Sequence, residues 1–163
     1  MTRAFLTSVL LLAAGAALAQ GTSLAVGLPS FNASTPVEVS ADALSVDQAT
    51  GAATFEGNVL VVQGDVRLSA AAVAITYASS DNTTGNGIEA LEATGGVTFV
   101  TASDAAEASR ATYTIATGIV VMSGDVLLTQ GQAAISGDRL VIDLNSGTGR
   151  MEGRVRTVIG GGN

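Results

Sequence analysis

Residues 50–59 read Thr-Gly-Ala-Ala-Thr-Phe-Glu-Gly-Asn-Val, and this stretch decides the fold because the chain repeats its form twice. Residues 117–126 and 146–155 each have Ser or Thr before a Gly, a second Gly six positions later, and then any residue followed by Val. A further Gly-x-Val begins at Gly95, so the Gly-x-Val sites of these four stretches begin at positions 57, 95, 124 and 153. Repetition at such a spacing is typical of proteins that stack one structural unit.

Each repeated unit predicts two short strands joined at a glycine. Glycine adopts positive φ angles at a hairpin corner without steric cost, and the Val after the turn begins the next strand. One pair of strands is marginally stable alone, so stacked units are expected to share an apolar interior. Alternating apolar and polar residues recur along the chain and predict about fourteen to sixteen strands. The sequence therefore predicts one elongated all-β domain of repeated short antiparallel strands.

The N-terminal residues predict export. Arg3 precedes a nearly unbroken apolar run, and an A-x-A sequence ends at Ala19, as at a signal-peptidase site. Cleavage after Ala19 would leave a chain long enough for one domain. The predicted divisions are a cleaved signal peptide (1–19), a flexible leader (20–35), a single β domain (36–159) and a frayed tail (160–163).

Two stretches predict loops inside the β domain. Residues 79–87 read SSDNTTGNG, lack any apolar side chain and predict the longest loop. Residues 103–107 predict a second loop, and residues 105–110 would also fit one helical turn.

Composition excludes several function classes. The chain has 7 basic residues, all arginine, against 14 acidic ones, and this acidic balance argues against nucleic-acid binding, which needs basic contacts to phosphates. It has no His and no Cys, so it lacks the residues of Ser-His-Asp and Cys-His catalysis and of common zinc sites. The scattered carboxylates form no recognisable catalytic or metal-binding pattern, so we predict no enzymatic activity, no metal and no cofactor.

The alternation also predicts a continuous apolar inner face of small side chains. Such a face encloses either a dry core or a groove that suits acyl chains. We also place Val66, Val73, Leu140 and Ile142 on it. The predicted lipid-binding residues are Val37, Val39, Leu44, Val46, Phe55, Val59, Val61, Leu68, Ile75, Val97, Phe99, Tyr113, Ile115, Val126, Leu128 and Ile135.

The two end strands predict head-to-tail self-association. Each end strand offers unpaired backbone groups, to which a second chain can add a strand. An acidic N-terminal strand would then face a basic C-terminal strand. Because two different surfaces meet, the assembly would grow as an open filament. The predicted interface residues are Glu38, Arg154, Arg156 and Val158.

The order of these motifs resembles a known family. Residues 36–42 (PVEVSAD) and 50–70 (TGAATFEGNVLVVQGDVRLSA) resemble the opening of the LptA/OstA-like domain of periplasmic lipopolysaccharide-transport proteins. Residues 122–126 and 135–140 resemble the second half of that domain, so the resemblance spans residues 36–159.

That resemblance implies a slightly twisted β-jellyroll, open along one side, whose groove shields the lipid A acyl chains of lipopolysaccharide in the periplasm. It also implies that copies stack head to tail into a bridge. The bridge would join an inner-membrane-anchored OstA-like partner to an outer-membrane one, without catalysis.

Two alternatives remain open from the residues alone. One is an exported structural β-repeat protein without lipid cargo, which an acidic chain rich in Ala, Gly and Val also fits. The other is a polysaccharide-active β-solenoid enzyme, since repeated β folds can carry paired carboxylates. Lipid bound to the purified protein would favour the transport reading, and a dry interior would favour the structural one.

Overall fold

The structure, a computed structural model, describes residues 22–26, 34–49, 51–77 and 87–160, which contain eleven strands and no helix. The long strands are rich in Val, Ile, Thr and Ala, with apolar side chains at alternate positions. In chain order the strands are β1 (Thr22–Ala25), β2 (Glu38–Ser40), β3 (Ala43–Val46), β4 (Ala53–Gln63), β5 (Val66–Tyr77), β6 (Ile88–Val100), β7 (Asp104–Thr114), β8 (Ile119–Gln130), β9 (Ala133–Asp143), β10 (Thr148–Glu152) and β11 (Arg156–Ile159).

These strands form one antiparallel sheet, in the order β1-β10-β9-β8-β7-β6-β5-β4-β2. β2 and β3 follow each other along one edge of β4, and β10 and β11 follow each other along one edge of β9. Every described pairing is antiparallel, and the sheet does not close on itself. The all-β, antiparallel fold class predicted from the sequence is therefore confirmed.

A line of β-bulges crosses the middle of the long strands. Gly57 and Asn58 of β4 lie together opposite Ala71 of β5, and the register shifts in the same way at Gly95 and at Gly124. Gly57 and Gly124 have φ angles of 78° and 84°. A bulge bends its strand without ending it, so the whole sheet bends along this line.

The bulge line divides the sheet into two half-sheets that face each other. The β3–β10 half-sheet has β3 at one end and β10 with β1 at the other, whereas the β2–β11 half-sheet has β2 and β11 at its ends. The hydroxyl of Tyr113 in β7 donates a hydrogen bond to Oε1 of Gln63 in β4 at 3.1 Å, although two strands separate β7 from β4 in the sheet. Only a folded sheet permits this contact, and its buried apolar side chains fill the space between the halves. We call the side opposite the bulge line, where the hairpin ends of both half-sheets meet, the seam.

Long strands replace the short ones that the sequence predicted. Strands β4 to β9 are 11 to 13 residues long, because the second glycine of each repeat lies in a bulge within or between collinear strands and not in a hairpin turn. The first glycine of each repeat does lie in a turn, at Gly51, Gly118 and Gly147. The positive φ angles predicted for Gly57 and Gly124 are confirmed, whereas their assignment to hairpin corners is wrong.

Two further expectations change. The loop or helical turn predicted over residues 103–110 is wrong, because β7 begins at Asp104 and alternates buried and exposed side chains from there. The predicted leader, residues 20–35, contains β1, which pairs with β10 through Thr22 to Ala25. Most of the predicted loop 79–87, all of the predicted signal peptide 1–19 and residues 161–163 of the tail lie outside the described residues.

Candidate functional site: the apolar interior and its two ends

Most of the predicted lipid-binding residues lie in the core between the half-sheets. Val37, Val39 and Phe55 are half-buried and pack against it. Period-two alternation identified these residues because inward and outward side chains alternate along a strand. The buried members are Val59, Val61, Leu68, Ile75, Val97, Phe99, Tyr113, Ile115, Val126, Leu128 and Ile135.

Leu44 and Val46 were predicted to be enclosed and are instead exposed, at 56% and 60%. Leu44 lies opposite Phe55 and Val46 opposite the buried Ala53, so both side chains point to the inner face. They are exposed because β3 is an edge strand that pairs only with β4. The apolar inner face therefore continues, uncovered, to this end of the sheet.

The opposite end of the sheet has the same property. Ile159 of β11 lies opposite Ala133, on the same face as the pair formed by Thr157 and the buried Ile135, and its side chain is 74% exposed. The side chain of Val158 lies on the outer face and is also exposed. We call the apolar inner space between the two half-sheets the trough. It has exposed apolar side chains at both ends.

Sequence reasoning missed about half of the core. The missed residues are mostly alanines and residues of β6, β8 and β10, where apolar side chains also alternate with polar ones. Counting alanine as an inward residue would have found most of them, whereas Leu144, in a turn, carries no such signal. They are Val26, Ala53, Ala70, Leu91, Ala93, Ala106, Ala108, Ala111, Val120, Met122, Leu144 and Met151.

In the described part of the interior, side chains leave little free space. One cavity between the half-sheets, lined by residues that include Phe99 and Val120, has a volume of about 30 Å³. That space has room for water molecules and not for an acyl chain. An acyl chain would therefore enter only if the half-sheets moved apart.

Polar contacts close the seam. The buried Gln63 accepts the hydrogen bond of the Tyr113 hydroxyl, and its Nε2 donates to the carbonyl oxygen of Thr35 at 3.0 Å. Burial raises the pKa of Tyr113 to about 12, so the phenol stays protonated and keeps donating. Further along the seam, Nε2 of Gln130 donates to the carbonyl oxygen of Ala25 at 2.7 Å. Opening the seam would break these hydrogen bonds first.

The predicted interface arginines differ in their surroundings. Nε of Arg154 donates to Oδ1 of Asp138 at 3.0 Å within the same chain, and this hydrogen bond lowers the pKa of Asp138. Glu38 and Arg156 are exposed at opposite ends of the sheet. The Arg154 charge is thus already balanced inside the molecule.

The described residues hold no group of three or more acidic side chains that could bind a metal ion. None of their segments is a helix long and apolar enough to cross a membrane.

Comparison with known proteins agrees with this architecture. The family model for the LptA/(LptD N-terminal domain) LPS transport protein matches residues 38–148. The lipopolysaccharide export system protein LptA of Escherichia coli strain K12 is 29% identical over 127 residues, which cover 72% of this chain and 66% of that protein. The chain thus spans just under two thirds of the length of the Escherichia coli relatives. An uncharacterized protein of Rhizobium meliloti strain 1021 is 28% identical over 152 residues, covering 89% of this chain and 82% of that one.

The fold is similar to the crystal structure of LptH from Pseudomonas aeruginosa, described as the LptA homologous periplasmic component of a conserved lipopolysaccharide transport device. The two share a TM-score of 0.67 and 20% identity, over 78% of this chain and 96% of that chain. This likeness concerns the fold alone. Because the family model covers well over half of the chain, the chain belongs to the LptA/LptD N-terminal-domain family of lipopolysaccharide transport proteins.

Proposed function

We propose that this chain is a periplasmic carrier that shields the acyl chains of lipopolysaccharide between its half-sheets while the lipid moves from the inner to the outer membrane. In this proposal the signal peptide is removed after Ala19, and the domain works without catalysis. Copies stack head to tail, and the stack ends on an inner-membrane-anchored and an outer-membrane partner of the same fold.

The exposed inner-face residues at both ends carry this proposal. A structural protein with a dry core has no need to leave Leu44, Val46 and Ile159 uncovered, because exposed apolar surface costs free energy in water. Uncovered apolar residues at two ends of one trough mark surfaces that something else covers. Stacked copies would cover them and would join separate troughs into one continuous apolar path.

The closed interior defines what the carrier must do to accept lipid. Because the described cavity between the half-sheets measures only about 30 Å³, the half-sheets would have to separate at the seam, and the Tyr113–Gln63 hydrogen bond would break. The bulge line would then act as the hinge, because the strands already bend there. Acyl chains would replace the contacts that the two apolar faces make with each other.

Stacking would use the free edges of β2 and β11. Each pairs on one side only among the described strands, so each can accept a further strand by backbone hydrogen bonds. Glu38, Arg156 and Val158 lie along these edges and would border the junction.

Photocrosslinking tests the lipid-shielding proposal. A photoreactive side chain at the half-buried Val39 or at the buried Phe99 should label lipopolysaccharide in cells, whereas one at Arg67, exposed on the outer face, should not. Equal labelling at the inner and outer positions would refute lipid shielding. The absence of labelling at every position, with stable folded protein, would favour a structural protein without lipid cargo.

A further inference from the structure

The bulges alternate across the sheet in a regular way. The glycine of each bulge lies in β4, in β6, in β8 or between β10 and β11. The residue that packs against it comes from the preceding part of the chain: from between β2 and β3, from β5, from β7 or from β9. A β-carbon added to each of the four glycines would lie within 3 Å of that facing side chain. The facing residues are Asp42, Ala71, Ser109 and Asp138.

The backbone contacts repeat as well. The amide of Asp42 donates to the carbonyl of Gly57 at 2.9 Å, and the amide of Asp138 donates to that of Gly153 at 3.0 Å. The pairing of β2 and β3 with β4 also matches that of β9 with β10 and β11, since Ser40 opposite Leu60 corresponds to Ser136 opposite Arg156. One register therefore describes both ends of the sheet.

This regularity fixes what should follow β10 and β11. A strand added beside β10 and β11 would contain a residue that packs against a bulge glycine, and it would run antiparallel to β10. The β2–β3 segment at the other end of the sheet meets both conditions. At such a junction β10–β11 corresponds to β4, and β2–β3 of the second copy corresponds to β5. The β4–β5 register then places Leu44 of the second copy opposite Met151 and Val46 of the second copy opposite Gly149. On the β11 side it places Glu38 opposite Val158.

The chain itself already occupies half of this position. β1 runs antiparallel to β10, with Thr22 opposite Met151 and Leu24 opposite Gly149. Leu24 thus sits where Val46 of a second copy would sit, and it is half-buried against the core. The edge of β11 remains without a second partner among the described strands.

From this coincidence we propose that β1 is an internal cap, which occupies the place of β3 from a second copy and must leave before two copies join completely. The proposal rests on the head-to-tail stacking proposed above. Among the described residues, the cap is held by four residue pairs, by the Gln130–Ala25 hydrogen bond and by the packing of Leu24 against the core. Val26, which follows β1, is 5% exposed, and its amide donates to the carbonyl of Gly147 at 2.8 Å.

A tethered competitor of this kind weakens association without touching the partner. The apparent dissociation constant rises by the inverse of the fraction of molecules whose cap has left. In exchange, displacement lets the second copy cover its exposed Leu44 and Val46. Removing the cap should therefore strengthen self-association by at least about tenfold, which corresponds to a competent fraction of at most about one in ten.

Two variants with built-in controls test the cap by sedimentation velocity. Ala25→Cys with Thr148→Cys joins exposed residues that lie directly opposite each other, and the chain contains no other cysteine. Oxidised, this variant should associate at least about tenfold more weakly than the same protein reduced. Leu24→Asp, which disfavours the half-buried position, should associate at least about tenfold more tightly than the parent, with Ser23→Asp on the exposed face as its control.

A deletion of residues 155–163 separates this inference from the stacking proposal. If the deletion abolishes association while the oxidised and Leu24→Asp proteins match the parent, stacking stands and the cap is refuted. If the deletion leaves the parent's association unchanged, or if no variant associates at all, both are refuted. A parent that is monomeric while Leu24→Asp associates would support the cap.

Discussion

The bulge line offers a matched pair of glycines that tests why the strands bend. Gly95 and Gly96 are adjacent in β6 and share a φ angle of 83°, which an L-residue adopts only at a cost. A β-carbon at Gly95 would lie 2.6 Å from the β-carbon of Ala71, whereas one at Gly96 would meet no atom within 4 Å. Replacing each with alanine thus adds the same φ strain to both variants but a steric clash to only one.

The expected losses in the free energy of unfolding follow from the backbone strain and from the steric clash. Gly96→Ala should destabilise the protein by about 1–2 kcal/mol through left-handed backbone strain alone. Gly95→Ala should cost about 1–3 kcal/mol more, because the neighbouring strand must move to accommodate an overpacked methyl group. The Ala71→Gly background removes the clashing methyl, so the double variant should recover most of that extra cost.

Urea unfolding followed by circular dichroism measures the stability of the parent and of all four variants, provided that the slope of free energy against urea stays constant among them. Coupling between Gly95→Ala and Ala71→Gly is then a double-mutant cycle. Equal losses for the Gly95 and Gly96 variants would refute the packed-bulge explanation. So would an absence of coupling with Ala71→Gly.

Two further predictions concern titratable groups. Tyr113→Phe should cost about 1–3 kcal/mol because it leaves Oε1 of the buried Gln63 without its donor. Folding raises the pKa of Tyr113 from 10.0 to about 12. The contribution of the Tyr113 side chain to stability should therefore be complete below pH 10 and disappear as the pH rises towards 12. Chemical unfolding at pH 9 to 12 should show this loss in the parent and not in Tyr113→Phe. Arg154→Gln should return the lowered pKa of Asp138 towards its ordinary value, as measured by NMR titration of the carboxyl groups. It should not change the pKa of Asp143, which is lowered by hydrogen bonds from Ser146 and Asn145. An unchanged pKa of Asp138 would contradict the ion pair.

The sequence predicted the faces of the strands better than their lengths. In the sequence, a phase break in the period-two pattern, such as that between the inward residues Leu68 and Val73, looks like the end of one strand and the start of another. In the structure β5 continues through Ala71, and the bulge shifts the phase without a turn. Apolar periodicity contains no information on whether backbone hydrogen bonds continue, so the two cases look alike. The available hint was that Gly57 and Asn58 are adjacent and are both residue types that accept positive φ angles, which both adopt in the structure.

The ends of the sheet could not be predicted from the pattern. Alternation assigned Leu44 and Val46 to the inner face correctly, but it says nothing about what lies across from that face. β1 was missed because four residues are too few for a periodic signal and because its partner, β10, lies more than 120 positions away in the chain. Contacts of such long range depend on the whole topology and not on local preference.

The register at the proposed junction also changes the role of charge there. Glu38 would lie opposite Val158, and Arg156 opposite Ser40, so the two charged side chains would be diagonal neighbours about 7–8 Å apart. At that separation an exposed pair contributes less than about 1 kcal/mol and weakens further with salt. Backbone pairing along β11 and the apolar contact of Ile159 with the second copy would then supply most of the attraction, because Ile159 is the most exposed large apolar side chain of the described residues. In a stack of copies, the apolar inner face that lines each trough would also join one copy to the next. The surface that joins the copies would thus be continuous with the surface proposed to shield the lipid.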